Sequence, residues 1–306
     1  MTIRMAIIGY GKIAQDQHRP AILGNPSYTL AAIVNPNRDP RIGVPWFASL
    51  AELVAAGLAD AVAICTPPVP RYAIAKEALA AGLDVLLEKP PAATLGELDD
   101  MLELARQAKR TLYAGWHSQH APAVAPAAKA LEGAQVRRLR IEWREDVRKW
   151  HPGQEWIWAP GGFGVFDPGI NALSIASRIL PMPLFVASAT LAFPANRQAP
   201  IAAQLAFVGP KDALSAEMDW RYEEGEHWTI EVETGDGRKL ALRDGGAGLS
   251  IDGVEQKVDE IGEYPSIYAR FAELAGTGTV EVDGAPLRIV ADAFMVGARE
   301  IVEAFT

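Results

Sequence analysis

Apolar positions along the chain fall into two regimes that change near residue 120. In the first, the short runs 3–8, 30–34, 61–65, 85–87 and 111–114 lack polar alternation. Such runs predict strands covered on both faces. Between them, 11–23, 50–56, 72–81 and 95–108 have helical spacing, with Gly24, Gly57 and Gly82 as stops. Strands alternating with helices predict βαβ units and a parallel sheet. In the second regime 121–131 and 170–180 read as helices and 136–146 as a long alternating strand. Several β-like segments follow between residues 186 and 258, without helices between them. That order predicts an antiparallel sheet. Within 226–233, Trp228, Ile230 and Val232 share the buried parity. Two helices, 266–275 and 287–305, are expected to finish the chain. The predicted fold is α/β: a doubly wound Rossmann domain, 1–120, and an α+β domain, 121–306, with a large, mostly antiparallel sheet.

Length and composition fit this division. The chain has 306 residues, 49% hydrophobic and 22% charged, enough for two packed cores. It has 29 Lys and Arg against 38 Asp and Glu, a net charge of −9. That balance argues against a nucleic-acid partner. Arg137, Arg138, Arg140, Arg144, Arg148 and Lys149 form a basic stretch that alternates with Leu139, Ile141 and Trp143 and also contains Glu142 and Glu145, as on a solvated strand face. The single cysteine, Cys65, cannot form an internal disulfide and reads as a small core residue. No window reaches the roughly 18 apolar residues of a membrane span, and no signal peptide is read at the start. A cytoplasmic protein acting on small molecules is expected.

The turn Gly9-Tyr10-Gly11-Lys12-Ile13-Ala14 fits G-x-G-x-x-G/A between a strand and a helix. Gly9 permits the turn, Gly11 lets the backbone approach a pyrophosphate, and Ala14 brings the helix close to the strand. Lys12 and Ile13 open the helix, whose free N–H groups and positive dipole end suit phosphates. The second strand ends at Asn35 rather than an acidic residue, and Arg38 follows. Neutral Asn35 can bond a ribose hydroxyl without repelling a 2′-phosphate, so use of both NAD and NADP is expected. In such sheets ligands bind beyond the carboxyl ends of the strands. Thr66 and Pro67 after the third strand, and Glu88 and Lys89 after the fourth, are candidate contacts there. Glu88 has the alternative role of supporting its turn.

These residues carry a resemblance. The N-terminal glycine motif and Glu88-Lys89-Pro90 resemble the Gfo/Idh/MocA oxidoreductase family. The blocks 12–18, 87–91, 116–118, 145–154 and 164–174 resemble its bacterial aldose 1-dehydrogenases acting on D-galactose or L-arabinose. Asn171 stands where many relatives have His, a departure that fits this group. The resemblance implies oxidation of the sugar at C1 to a lactone, with hydride transfer to nicotinamide. It makes Lys89 the central catalytic residue, with Asp167 and Asn171 beside the sugar and further contacts from Glu145 and His151. Chemically, a Lys base must reach the C1 hydroxyl, and Asp167 suits orientation of Lys89 and a sugar hydroxyl.

A sugar also needs an aromatic wall for its C–H faces, which Trp150 or Trp116 would supply; Trp156 and Trp158 read as core. His117 is expected to line the cleft. His117 and His120 lack the other ligands of a metal site, and His18 reads as a satisfied structural histidine. Two other readings stay open: a relative acting on a cyclitol or another sugar, and a non-catalytic dinucleotide or sugar sensor. Helices after residue 120 are too few to cover both faces of the second sheet, and apolar residues occur on more than one parity. A homodimer through that sheet is expected.

Overall fold

The computed structural model describes residues 2–37, 39, 42–210, 213–259 and 262–306. The chain forms two compact units. One comprises Met1–His117 and Gly262–Asp283, the other Ser118–Ile261 and Gly284–Thr306. A single division at residue 120 has no counterpart for the return of 262–283 to the first unit.

The first unit is built on strands β1 (Ile3–Ile8), β2 (Tyr28–Val34), β3 (Trp46–Phe47), β4 (Ala61–Ile64), β5 (Asp84–Glu88) and β6 (Leu112–Gly115). Four helices connect them: α1 (Arg19–Gly24), α2 (Leu50–Ala56), α3 (Pro68–Ala80) and α4 (Leu95–Ala108). All pairs are parallel, in the order β6-β5-β4-β1-β2-β3. The order reverses between β1 and β4, the crevice where such folds take ligands. β4 and β5 are buried throughout, which explains their uninterrupted apolar runs. α4 begins with a capping box between Thr94 and Glu97. α2 starts at a Ser49 cap and ends on left-handed Gly57, satisfying the terminal backbone groups that a helix leaves open. The helix expected at 11–23 contains a π-helical turn, Ala14–His18, before α1. Pro20 in the first turn of α1 has no N–H to give its predecessors, so the regular ladder does not run through.

In the second unit, β7 (Val136–Arg144), β8 (Val186–Pro194), β9 (Ala202–Phe207), β10 (Leu214–Asp219), β11 (His227–Thr234), β12 (Lys239–Arg243), β13 (Gly248–Ile251) and β14 (Val254–Glu255) form one sheet. Its helices are α5 (Val124–Leu131), the single turn α6 (Val147–Trp150) and α7 (Phe166–Ile179). The order is β14-β13-β12-β11-β7-β10-β9-β8, antiparallel except where β10 pairs β7. Along β9, β10 and β11 buried and less buried positions alternate, as a sheet packed on one face requires. The other face does not carry the second apolar parity expected from the sequence. Arg140, Glu142, Arg144 and Glu217 form a chain of ion pairs there, at 2.9 Å each.

The returning segment places α8 (Glu263–Leu274) and β15 (Val280–Glu281) in the first unit. β15 extends the parallel sheet beside β6. Ile267, Tyr268 and Phe271 of α8 join Met5, Ile7, Ile22 and Leu86 in that unit's core. Buried Asp84 ties the return down: its carboxylate accepts the backbone N–H groups of Thr111 (2.9 Å) and Gly276 (2.7 Å).

The last helix, expected over 287–305, is shorter. α9 (Ala285–Val296) stops before Gly297, and β16 (Ala298–Val302) pairs with β8 in parallel. A Cβ on Gly297 would lie 2.4 Å from the Ala293 carbonyl oxygen. The edge of β8 then supplies the backbone partners that a continued helix would have given. No described helix is long and apolar enough to cross a membrane.

Candidate active site

The first unit gathers its candidate residues at the carboxyl ends of β1, β4 and β5. Gly9 has φ +84, and a Cβ there would lie 3.0 Å from both Thr66 N and Thr66 Cγ2. Only glycine lets the β1 and β4 turns approach this closely. A Cβ on Gly11 would meet nothing within 4 Å, so space is left beside that backbone. The Thr66 hydroxyl is buried and has no hydrogen-bond partner among the described residues. An open glycine backbone and a buried hydroxyl awaiting a partner, at the switch point of a parallel sheet, fit a dinucleotide.

The other expected cofactor residues differ in kind. Ile13 is 38% exposed, an apolar side chain at the mouth of the turn. Lys12 is exposed and paired with Asp16. Pro67 is exposed and caps α3. Asn35 braces the loop: its Oδ1 accepts Tyr10 N–H at 3.2 Å and its Nδ2 donates to the Asn37 carbonyl at 3.0 Å. Arg38 lies outside the described residues.

Glu88 is 4% exposed and points inward. Its Oε1 accepts from Tyr264 Oη at 2.6 Å and pairs with His18 Nε2 at 2.9 Å, while Oε2 accepts Lys89 N–H at 2.8 Å. Both carboxylate oxygens of Glu88 are thus engaged within the first unit, one of them on the turn itself. His18 Nδ1 meets Tyr268 Oη at 2.8 Å. Burial opposes charge on His18, but the Cys65 thiol and Glu88 carboxylate outweigh it and hold the imidazole up at about 10. Burial likewise opposes charge on Glu88. The hydrogen bond and charge of His18, with His117 and Tyr264, bring it down to about 2. The pair is therefore an imidazolium–carboxylate pair in the core. Lys89 is half-buried and joined to Pro90 by a cis bond. His117 pairs with Glu263 at 2.8 Å and stacks on Tyr264, with centroids 5.7 Å apart. Trp116 is buried and donates its indole N–H to the Asp283 carbonyl, which withdraws it from an aromatic wall.

In the second unit, Asp167 and Asn171 lie four residues apart on α7, hence on one face. Asp167 is in the helix's first turn, where the dipole favours a carboxylate. Asn171 Oδ1 is buried without a hydrogen-bond partner among the described residues. His151 Nε2 lies 3.5 Å from Asp167 Oδ2, and its ring is 5.2 Å from Trp220. These three expected sugar residues thus come together.

Glu145 is placed otherwise. It is 2% exposed, and its oxygens accept the indole N–H groups of Trp220 (3.2 Å) and Trp228 (2.9 Å). It stands behind the aromatic rings. Trp228 stacks on Trp143 at 5.5 Å and faces Trp150 at 5.8 Å; Trp150 itself is 43% exposed. Trp158 is buried against Trp220. The sequence put Trp228 on the buried parity of its strand but had no signal joining it to Glu145. No group of three metal-ligating side chains occurs among the described residues.

Residues 3–116 match the oxidoreductase family with an NAD-binding Rossmann fold, Gfo/Idh/MocA. A galactose 1-dehydrogenase of Pseudomonas fluorescens is 50% identical over 305 residues, 99% of this chain and 98% of that protein. The chain belongs to the Gfo/Idh/MocA oxidoreductase family. This oxidoreductase is also similar to the crystal structure of a D-galactose-1-dehydrogenase protein from Rhizobium etli. The TM-score is 0.92 at 48% identity, covering 100% of this chain and 98% of that one. A 3-ketoreductase of Actinomadura kijaniata, 18% identical, shares the fold with a TM-score of 0.85 over 99% of this chain and 100% of its own. The matched Rossmann domain is of the NAD-binding kind.

Proposed function

We propose that the enzyme oxidises D-galactose at C1 to the lactone, with L-arabinose as a second substrate and with either NAD or NADP. The observation that carries this reading is 50% identity to a galactose 1-dehydrogenase along almost the whole of both chains. The two pyranoses share their ring configuration, the hexose adding one CH₂OH. A site that reads ring hydroxyls therefore accepts both and rejects epimers whose hydroxyl leaves a partner unpaired.

In this reading the first unit binds the dinucleotide at Gly9, Gly11, Ile13 and Thr66. Lys89 accepts the C1 hydroxyl proton while the C1–H bond breaks and the ring carbon becomes a carbonyl. The bound dinucleotide supplies the acceptor for the hydride. Asn171 Oδ1 takes a sugar hydroxyl, and Asp167, steadied by His151, takes another. Trp150 offers its exposed ring to the sugar's C–H face. Cofactor reduction followed at 340 nm across aldoses and cyclitols, with NAD and NADP in parallel, tests the reading. Galactose and arabinose should lead. Turnover confined to a cyclitol would overturn the substrate, and none at all despite cofactor binding would favour a sensor.

We also infer a homodimer in the cytoplasm, joined through the polar face of the nine-stranded sheet. Its support is that α5, α7 and α9 pack against this sheet, while its ion-paired outward face is only half-buried at Glu142, Arg144 and Glu217. Light scattering giving the monomer mass would refute it.

A further inference from the structure

Arg71 was not marked by any motif, yet it is 2% exposed in the first unit's interior. It lies in the first turn of α3, after Pro68 and Pro70. Nη1 donates to the Glu88 carbonyl at 2.6 Å and also to the Pro90 carbonyl. Nη2 donates to the Thr66 carbonyl. One guanidinium thus spans three backbone oxygens on two loops. Two of them flank Lys89; the third belongs to the turn that carries the buried, unbonded Thr66 hydroxyl. On the other side of the same backbone, Glu88 Oε2 holds the Lys89 N–H.

A buried cation is expensive unless its donors are used. Apolar packing would serve a merely structural need at lower cost. What a guanidinium adds is a rigid planar fork able to fix several acceptors at set angles, which the single nitrogen of lysine cannot reproduce. The three carbonyls it fixes do not titrate.

We propose that Arg71 is a positioning residue that locks the Lys89 loop to the Thr66 turn, setting the proton acceptor and the dinucleotide turn in one frame. The proposal rests on the reading of Lys89 as proton acceptor.

The test compares full-length Arg71→Lys and Arg71→Met with wild type and with Lys89→Met. Melting temperature, NAD affinity by fluorescence titration, and kcat and KM for galactose are measured. Arg71→Lys should remain folded and lose about 10- to 100-fold in kcat, the scale of a displaced reacting group. Its galactose KM should stay near wild type. In Arg71→Met, added guanidinium ion should restore part of kcat without raising the melting temperature, which a merely structural role would not show. Wild-type kcat in Arg71→Lys, or losses that follow only the folded fraction, would overturn the proposal. Failure of both variants to fold would likewise assign Arg71 to stability alone. An inactive Lys89→Met beside a fully active Arg71→Lys refutes the clamp but leaves Lys89 in place. A fully active Lys89→Met refutes the reading of Lys89 itself.

Discussion

His18 Nε2 and Glu88 Oε1 meet at 2.9 Å across 70 residues of sequence, with side-chain exposures of 2% and 5%. Folding raises the pKa of His18 from 6.5 to about 10 and lowers that of Glu88 from 4.5 to about 2. The His18 contribution to stability is therefore complete below pH 6.5 and is lost as pH rises through 10. The Glu88 contribution is complete above pH 4.5 and is lost as pH falls through 2. Urea midpoints should peak between pH 4.5 and 6.5 and decline toward pH 10. In His18→Gln the alkaline decline should flatten; an unchanged slope would show that other groups cause it.

Glu145→Gln replaces one acceptor oxygen by an NH₂ that faces an indole N–H. Two donors then oppose each other in the core, costing about 1–3 kcal/mol. Thermal melts should show the loss, and emission from Trp220 and Trp228 should change. The galactose KM should rise because the Trp150 wall loses its backing. Unaltered melting and KM would mean that the carboxylate does not organise these rings.

Thr66→Val removes a buried hydroxyl that has no hydrogen-bond partner among the described residues. Stability should hold or improve, since an unsatisfied group leaves the interior. The KM for NAD should rise about 5- to 10-fold if that hydroxyl bonds the dinucleotide, the worth of one neutral hydrogen bond. Steady-state titration of NAD at saturating galactose distinguishes the two effects.

Gly169→Ala would put a Cβ 2.3 Å from Met218 Sδ, where α7 crosses the sheet. Overpacking of this kind costs about 1–3 kcal/mol. Shortening Met218 to Ala in the same chain should make the Gly169→Ala change less costly, and a double-mutant cycle of urea midpoints measures that coupling.

Much of this was legible in the sequence. The apolar runs of β1, β4 and β5 announced a parallel sheet, and the spacing of Leu50–Ala56 and Leu95–Ala108 gave α2 and α4 to the residue. Asp167, Asn171 and His151 were pointed to by the family resemblance, and their residue types suit a sugar's hydroxyls. What stayed hidden depends on partners remote in sequence. β16 is a strand because the edge of β8 lies beside it, against the helical spacing of its own residues. Glu145 carries the residue type of a ligand contact, and only the neighbouring indoles reveal its inward role. Arg71 binds backbone carbonyls, which every residue possesses, so no motif marks it.

The return of residues 262–283 to the first unit bears on how the protein is made. Tyr264 and Tyr268, which bond Glu88 and His18, leave the ribosome about 180 residues after Glu88 itself. Until then the nascent Rossmann sheet holds a charged pair without its hydroxyl partners and lacks the α8 side chains of its core. The cofactor unit is thus finished only after strands β7–β14 of the other unit have been synthesised, so its last core helix arrives late on the nascent chain.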